Sequence, residues 1–225
     1  MAPSAAACSV GELRSLYHLG MLRIVGGEYR SRLLETPRDE TTRPMSARAK
    51  EAICNLLRGW FEGARVLDLF AGVGTMGLES ISRGASRAWM VERDRAILRI
   101  QERNIATLGC ADRAIAIQGD ALTAHALESV TAPLDLVFMD PPYAIMEKEG
   151  ERHRVFSQLR RVRELMGERG FVILRSPLDP KVVDHSIAGL DGPEIHRYGQ
   201  GMYVLLYSPT ARPATNSTPA SDPTG

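Results

Sequence analysis

Residues 66–77, Val-Leu-Asp-Leu-Phe-Ala-Gly-Val-Gly-Thr-Met-Gly, restrict the folds open to this chain more than any other stretch. A short apolar strand runs into a glycine-rich turn and then into the start of a helix. Gly72, Gly74 and Gly77 keep the G-x-G-x-x-G spacing. Such a turn lets backbone approach a ligand closely and aims helix N–H groups at it. By itself the pattern suits any adenosine cofactor.

The segments beyond the turn set the fold class. Strand-like segments at 65–70, 87–92, 114–118, 134–140 and 171–175 alternate with helix-like segments at 75–83, 94–108, 122–130 and 152–166. A further short helix is expected within 178–189. Residues 195–198 and 202–208 flank Gly199-Gln200-Gly201 and read as a closing antiparallel hairpin. Strand–helix units with near-continuous apolar strands predict an α/β fold, with a doubly wound, mostly parallel sheet covered on both faces. Ahead of it, Ser46 is a good N-cap for a helix reaching Arg58. Residues 21–35 read as strand, Gly26-Gly27 turn, strand: a hairpin arm too small to bury much alone.

These patterns divide the chain into an extension (1–20), a basic N-terminal arm (21–45), the main domain (46–208) and a tail (209–225). The tail is rich in Pro, Thr, Ser and Ala, and disorder is expected there and in the extension. The extension reads either as disordered chain or as an upstream start codon, with translation then expected to begin at Met21. A chain of 225 residues, 44% hydrophobic, suits one domain with a sizeable core. A net charge of +1 excludes a polycation, so nucleic-acid contact needs a local basic patch. From Met21 to Lys50 there are seven Lys/Arg against four Asp/Glu. A second cluster, Arg152, Arg154, Arg160, Arg161 and Arg163, is expected to be a solvated helix face. Cys8, Cys54 and Cys110 are unpaired in number and read as reduced cytosolic thiols. The histidines have no ligand spacing, so no metal is expected. No apolar run is long enough for a membrane span.

In doubly wound sheets ligands bind beyond the carboxyl ends of the strands. Four acidic residues sit at four successive ends: Asp68, Glu92, Asp120 and Asp140. Glu92, followed by Arg93, stands 20 residues after Gly72, where a carboxylate can accept both hydroxyls of a ribose. That fits NAD as well as other adenosine cofactors, and Glu92 also suits a helix N-terminus. Asp120, before Ala121, could accept an adenine amino hydrogen or cap a helix.

Asp68 separates the cofactors. A dinucleotide would place an anionic pyrophosphate over the glycine turn, and a carboxylate beside it would repel that charge. S-adenosylmethionine carries an ammonium and a sulfonium, and both favour the carboxylate. The cofactor expected at Asp68, Phe70, Ala71, Gly72, Gly74, Gly77, Glu92, Arg93, Asp120 and Ala121 is therefore S-adenosylmethionine.

Asp140-Pro141-Pro142-Tyr143 places the second reactant. Two prolines leave no N–H after the strand, so their carbonyls are free acceptors. With the Asp140 carboxylate they can hold both hydrogens of a planar exocyclic amine, whose lone pair is otherwise delocalised into its ring. Tyr143 offers a face for an unstacked base.

With those residues in place, the chain resembles the RsmD-type 16S ribosomal RNA guanine-N2 methyltransferases of bacteria. The likeness rests on Arg23-Ile24-Val25-Gly26-Gly27 with Arg30 and Arg32, Thr42-Arg43-Pro44, Glu51-Ala52, Asn55-Leu56-Leu57, Leu67 to Gly72 and Asp140 to Tyr143. It spans residues 21–208. The resemblance implies a seven-stranded sheet, S-adenosylmethionine, and methylation of a guanine amino group in 16S ribosomal RNA or a small-subunit assembly intermediate. It implies a cytoplasmic enzyme, taken to be a monomer, whose arm contacts RNA through Arg23, Arg30, Arg32 and Arg43. Ser31, Met45, Ala47 and Lys50 stand where the family usually has Gly, Thr, Asp and Arg. Adenine-N6 or cytosine-N4 methylation of DNA or another RNA is the alternative. An NAD-dependent dehydrogenase is disfavoured by Asp68, and a non-catalytic RNA-binding relative by the retained acids.

Overall fold

The computed structural model describes residues 22–37, 47–199 and 201–211. The expected extension, Arg43 and nearly all of the tail lie outside them. In chain order the elements are α1 (Ala47–Leu56), β1 (Arg65–Leu69), α2 (Thr75–Ser82), β2 (Arg87–Glu92), α3 (Arg95–Leu108) and β3 (Ala114–Gln118). A single 3-10 turn (Ala124–Leu127) comes next, then β4 (Leu134–Met139), α4 (Tyr143–Glu147), α5 (Glu149–Leu165), β5 (Met166–Ser176), β6 (Leu190–Arg197) and β7 (Tyr203–Pro209).

The strands make one seven-stranded sheet in the order β3-β2-β1-β4-β5-β7-β6. The first five pair in parallel; β7 enters antiparallel between β5 and β6. Alternate residues feed opposite faces, as the pleat requires. Val66, Ala88, Met90, Leu136 and Phe138 pack under α1, α2, α3 and the arm. Leu67, Trp89, Val91, Val137 and Met139 pack under α5 and the 3-10 turn. Chain direction across the sheet reverses between β1 and β4. The crevice at that switch is where ligands settle in such sheets, and its two rims are the turn after Leu69 and Asp140.

The differences from expectation have local causes. Residues 122–130 form one 3-10 turn, because Asp120 takes the local donors: its carboxylate accepts Leu122 N–H at 2.9 Å and its carbonyl accepts Thr123 N–H at 3.0 Å. Residues 178–189 form no helix. Asp179 and Asp184 bond the N–H groups two residues on, at 2.9 Å each, and His185 anchors to buried Ser176 at 3.0 Å. The helix α4 starts directly behind Pro142, its N-cap residue at φ −52 and ψ 141. The arm pairs through one bridge, Arg23 to Leu33, instead of two full strands. Cys54 and Cys110 are free and buried.

The arm lies on α2 and α3, tied down by buried polar groups. The Glu79 carboxylate accepts Val25 N–H at 2.8 Å and Gly26 N–H at 2.9 Å. Lys50, fully buried, pairs with Glu79 at 3.2 Å and donates to the Arg23 carbonyl. Gly27 has φ 79, and a Cβ there would run into the Ser82 carbonyl, so the second glycine of the pair is required by a close approach to α2.

Candidate active site

Ala71 N–H donates to the Val91 carbonyl at 2.9 Å, carrying the glycine turn across to β2. Phe70 enters the turn at φ 63, a left-handed conformation unusual for an aromatic residue, and strain of this kind gathers at functional sites. Gly72 and Gly74 come next at φ 57 and 91. A Cβ on Gly72 would point into open space, whereas one on Gly77 would strike Met90. The third glycine therefore serves helix–sheet packing and the first leaves room for a ligand.

Asp68 is 2% exposed and accepts Gly77 N–H at 2.9 Å. Burial pushes its carboxyl up to about 7; the Gly77 N–H opposes this, and the nearby Asp140 and Glu92 carboxylates add to it. A cation brought beside it would favour its ionised form. Glu92 bridges turn and helix, accepting Gly72 N–H at 3.0 Å through Oε2 and Asp94 N–H at 2.8 Å through Oε1. Each oxygen keeps a second lone pair, so two ribose hydroxyls remain within its capacity. The α3 N-cap itself is Asp94, whose carboxylate accepts Ala96 and Ile97 N–H.

Asp120, Arg93 and Pro142 meet in a cavity of about 320 Å³ with Leu122, Ile145 and Arg154. Its apolar walls and paired charges suit a flat heterocycle with polar edges. Ala121 is buried. Arg154 reaches Asp120 at 3.4 Å and Glu151 at 2.8 Å, so this member of the α5 arginine cluster is engaged with the cavity's acids. Arg163 holds the Gly189 carbonyl at 2.9 Å and the Thr210 carbonyl at 2.6 Å.

Asp140 stands at the end of β4, its N–H donating to the Leu69 carbonyl at 3.3 Å. Oδ2 accepts from Arg175 Nη1 at 2.8 Å, while Oδ1 is buried with no hydrogen-bond partner among the described residues. Burial raises its carboxyl to about 6 against the pull of Arg175. Tyr143 is 41% exposed, with the Arg175 guanidinium 5.6 Å from its ring centroid.

The strand ends thus gather, in the order of the sheet, Asp120, Glu92, Asp68 and Asp140 around one crevice. The arm arginines sit elsewhere. Helices after parallel strands run back toward the strands' amino ends, and the arm tip docks at that end, Glu28 N–H on the Ser82 carbonyl at 2.6 Å. Arg32 donates to the Thr107 carbonyl at 2.9 Å in the last turn of α3. Arg23 and Arg30 are exposed. Residues that the strand-end pattern could not reveal are Arg175, Glu79, Gln101 and Asn104. Gln101 donates to the Gly72 carbonyl at 2.9 Å. Asn104 joins Val73 of the turn to both backbone groups of Glu35. Each acts across a distance in sequence that no local motif spans. Among the described residues no group of three His, Cys, Asp or Glu could hold a metal, and no helix is long and apolar enough to cross a membrane.

Comparison with known proteins places this geometry. A family model, conserved hypothetical protein 95, matches residues 22–207. Ribosomal RNA small subunit methyltransferase D of Escherichia coli strain K12 is 38% identical over 124 residues, 55% of this chain and 61% of its own length. The Haemophilus influenzae protein of the same name is 32% identical over 129 residues, 55% of this chain and 65% of its own. This chain thus spans less than two thirds of either relative. A solved Escherichia coli structure, yhhF, provisionally described as a methyltransferase, superposes with TM-score 0.70 at 27% identity, covering 85% of this chain and 99% of that one. Sheet order and neighbours together make this the class I methyltransferase fold.

Proposed function

We propose, because this chain belongs to the conserved hypothetical protein 95 family, that it transfers a methyl group to the exocyclic N2 of a guanine in 16S ribosomal RNA. The observation that carries the reading is Asp140 Oδ1: a carboxylate oxygen buried without a partner, beside two N–H-free prolines, across from the glycine turn. Such an orphan is costly unless a ligand donor meets it.

The donor set suits S-adenosylmethionine. Asp68 is an acid kept for a cation, Glu92 retains two lone pairs for a ribose, and Arg93, Asp120 and Leu122 line a cavity for the adenine. When bound, this cofactor supplies a methyl group on a positively charged sulfur. The chain's own part is alignment and charge. Asp140 Oδ1 accepts one amine hydrogen, and the Pro141 carbonyl accepts the other. Both bonds draw the nitrogen from planarity and expose its lone pair, and Tyr143 supplies a stacking face. Holding the reactants in line contributes most of the acceleration. Asp140, its carboxyl raised toward neutrality, is suited to take the proton that the amine sheds.

The arm fits a large substrate. Arg30 and Arg32 lie toward the amino ends of the strands, about 20 Å from the crevice at ~3.3 Å per strand residue. An RNA touching both must span roughly six stacked nucleotides at ~3.4 Å each, which 16S ribosomal RNA, alone or in a small-subunit assembly intermediate, supplies. Ribosomal RNA as substrate implies a cytoplasmic protein, and we take it to act as a monomer.

Mass spectrometry of ribosomal RNA nucleosides from cells lacking the protein should show loss of one N2-methylguanosine. An unchanged profile sinks the proposal. Loss of N6-methyladenosine or N4-methylcytidine instead moves the activity to the alternative amines. Asp140→Ala should retain cofactor binding and lose transfer.

A further inference from the structure

Arg175 belongs to no motif, yet it occupies the strand next to Asp140. In the β4–β5 register Met139 pairs with Leu174, so the next residue on each strand is Asp140 and Arg175. One guanidinium nitrogen, Nη1, is spent on Asp140 Oδ2 at 2.8 Å, and the group lies 5.6 Å from the Tyr143 ring centroid. Nε is buried and has no partner among the described residues, as is Asp140 Oδ1. An ion pair built for stability alone would close both, since an unmet buried donor or acceptor loses its water without return. Here one donor and one acceptor of the same pair remain open.

We infer that Arg175 is a substrate-binding, specificity-determining residue: its Nε–H donates to the ring nitrogen next to the target amine, while Asp140 Oδ1 accepts an amine hydrogen. The inference rests on the methyl-transfer reading above and deepens it. The edge so recognised is the N=C–NH2 unit, N3 with N2 in guanine. A carboxylate with both oxygens open would instead take guanine N1–H and N2–H together. Arg175 occupies the second oxygen, turns Asp140 into a single-point acceptor, and directs reading to the N3 side. The Tyr143 ring, under the same guanidinium, leaves the base one stacking face.

The test uses the full chain, with small ribosomal subunits from cells lacking the protein as probe. Arg175→Met and Arg175→Lys are compared with wild type for kcat and KM, for S-adenosylmethionine affinity by calorimetry, for affinity to the subunits, and for the pH–rate profile. Arg175→Met should bind cofactor normally and lose about 10–100-fold in kcat/KM, the range for a hydrogen bond to a charged group. Arg175→Lys restores the positive charge beside Asp140 without the planar fork. It should recover the wild-type pH profile yet stay about tenfold or more below wild type in rate. Wild-type rates in Arg175→Lys would make Arg175 only a charge partner and overturn the inference. So would an unchanged Arg175→Met, and if that variant does not fold the lysine variant decides alone. Wild-type protein inert on those subunits would overturn the functional reading and this inference with it.

Discussion

Lys50 and Glu79 are both fully buried and lie 3.2 Å apart, and the same carboxylate accepts the backbone N–H groups of Val25 and Gly26. The pair is the clamp that joins arm, α1 and α2. Removing one member of a buried ion pair leaves the other charge uncompensated, which typically costs about 3–5 kcal/mol. Glu79→Ala should therefore lower stability to urea by about that amount and expose residues 22–35 to limited proteolysis before the rest of the chain. If the arm of Glu79→Ala resists protease as wild type does, the clamp is not what holds it.

Ser31 sits at φ 69 with its side chain exposed, in the turn where Ser31 N–H meets the Ile24 carbonyl at 2.9 Å. Glycine, the residue that the family resemblance leads one to expect there, suits that conformation. Serine there loses roughly 1 kcal/mol to left-handed strain and has no packing to offset it. Ser31→Gly is expected to stabilise the protein by about 1 kcal/mol in equilibrium urea unfolding. A destabilised Ser31→Gly would mean that the side chain holds a contact worth more than the strain.

Asp68 and Asp140, raised to about 7 and about 6, bind protons more tightly when folded than when unfolded. The unfolded state then binds fewer protons between about pH 4 and pH 7, so stability falls as pH rises through that window. Thermal melts of the ligand-free protein should show Tm declining from pH 5 to pH 8. Asp68→Asn, which cannot ionise but can still accept Gly77 N–H, should flatten most of that decline and bind S-adenosylmethionine at least about tenfold more weakly. Parallel Tm curves for variant and wild type would show that Asp68 is charged without cost in the free protein.

The amino-acid order already contained the strand–helix alternation, the glycine turn, the four acidic strand ends and Asp140-Pro141-Pro142-Tyr143. These are local features: periodicity in a strand, backbone freedom at glycine and missing N–H groups at proline act within a few residues. The second partners of those residues were not legible. Asp68 read as a group beside a cofactor, and in the fold it is also the acceptor that seats Gly77 on β1. Lys50 read as one more cation of the basic stretch from Met21 to Lys50, in the helix after the arm, and it is buried on Glu79. Arg32 read as an RNA contact, and its guanidinium closes the carbonyl end of α3. Arg175 carried no signal, because its meaning comes from standing one strand over from Asp140. Local sequence sets which backbone shapes are cheap. Which buried charges meet depends on sheet order and register, and those come from packing the whole core at once.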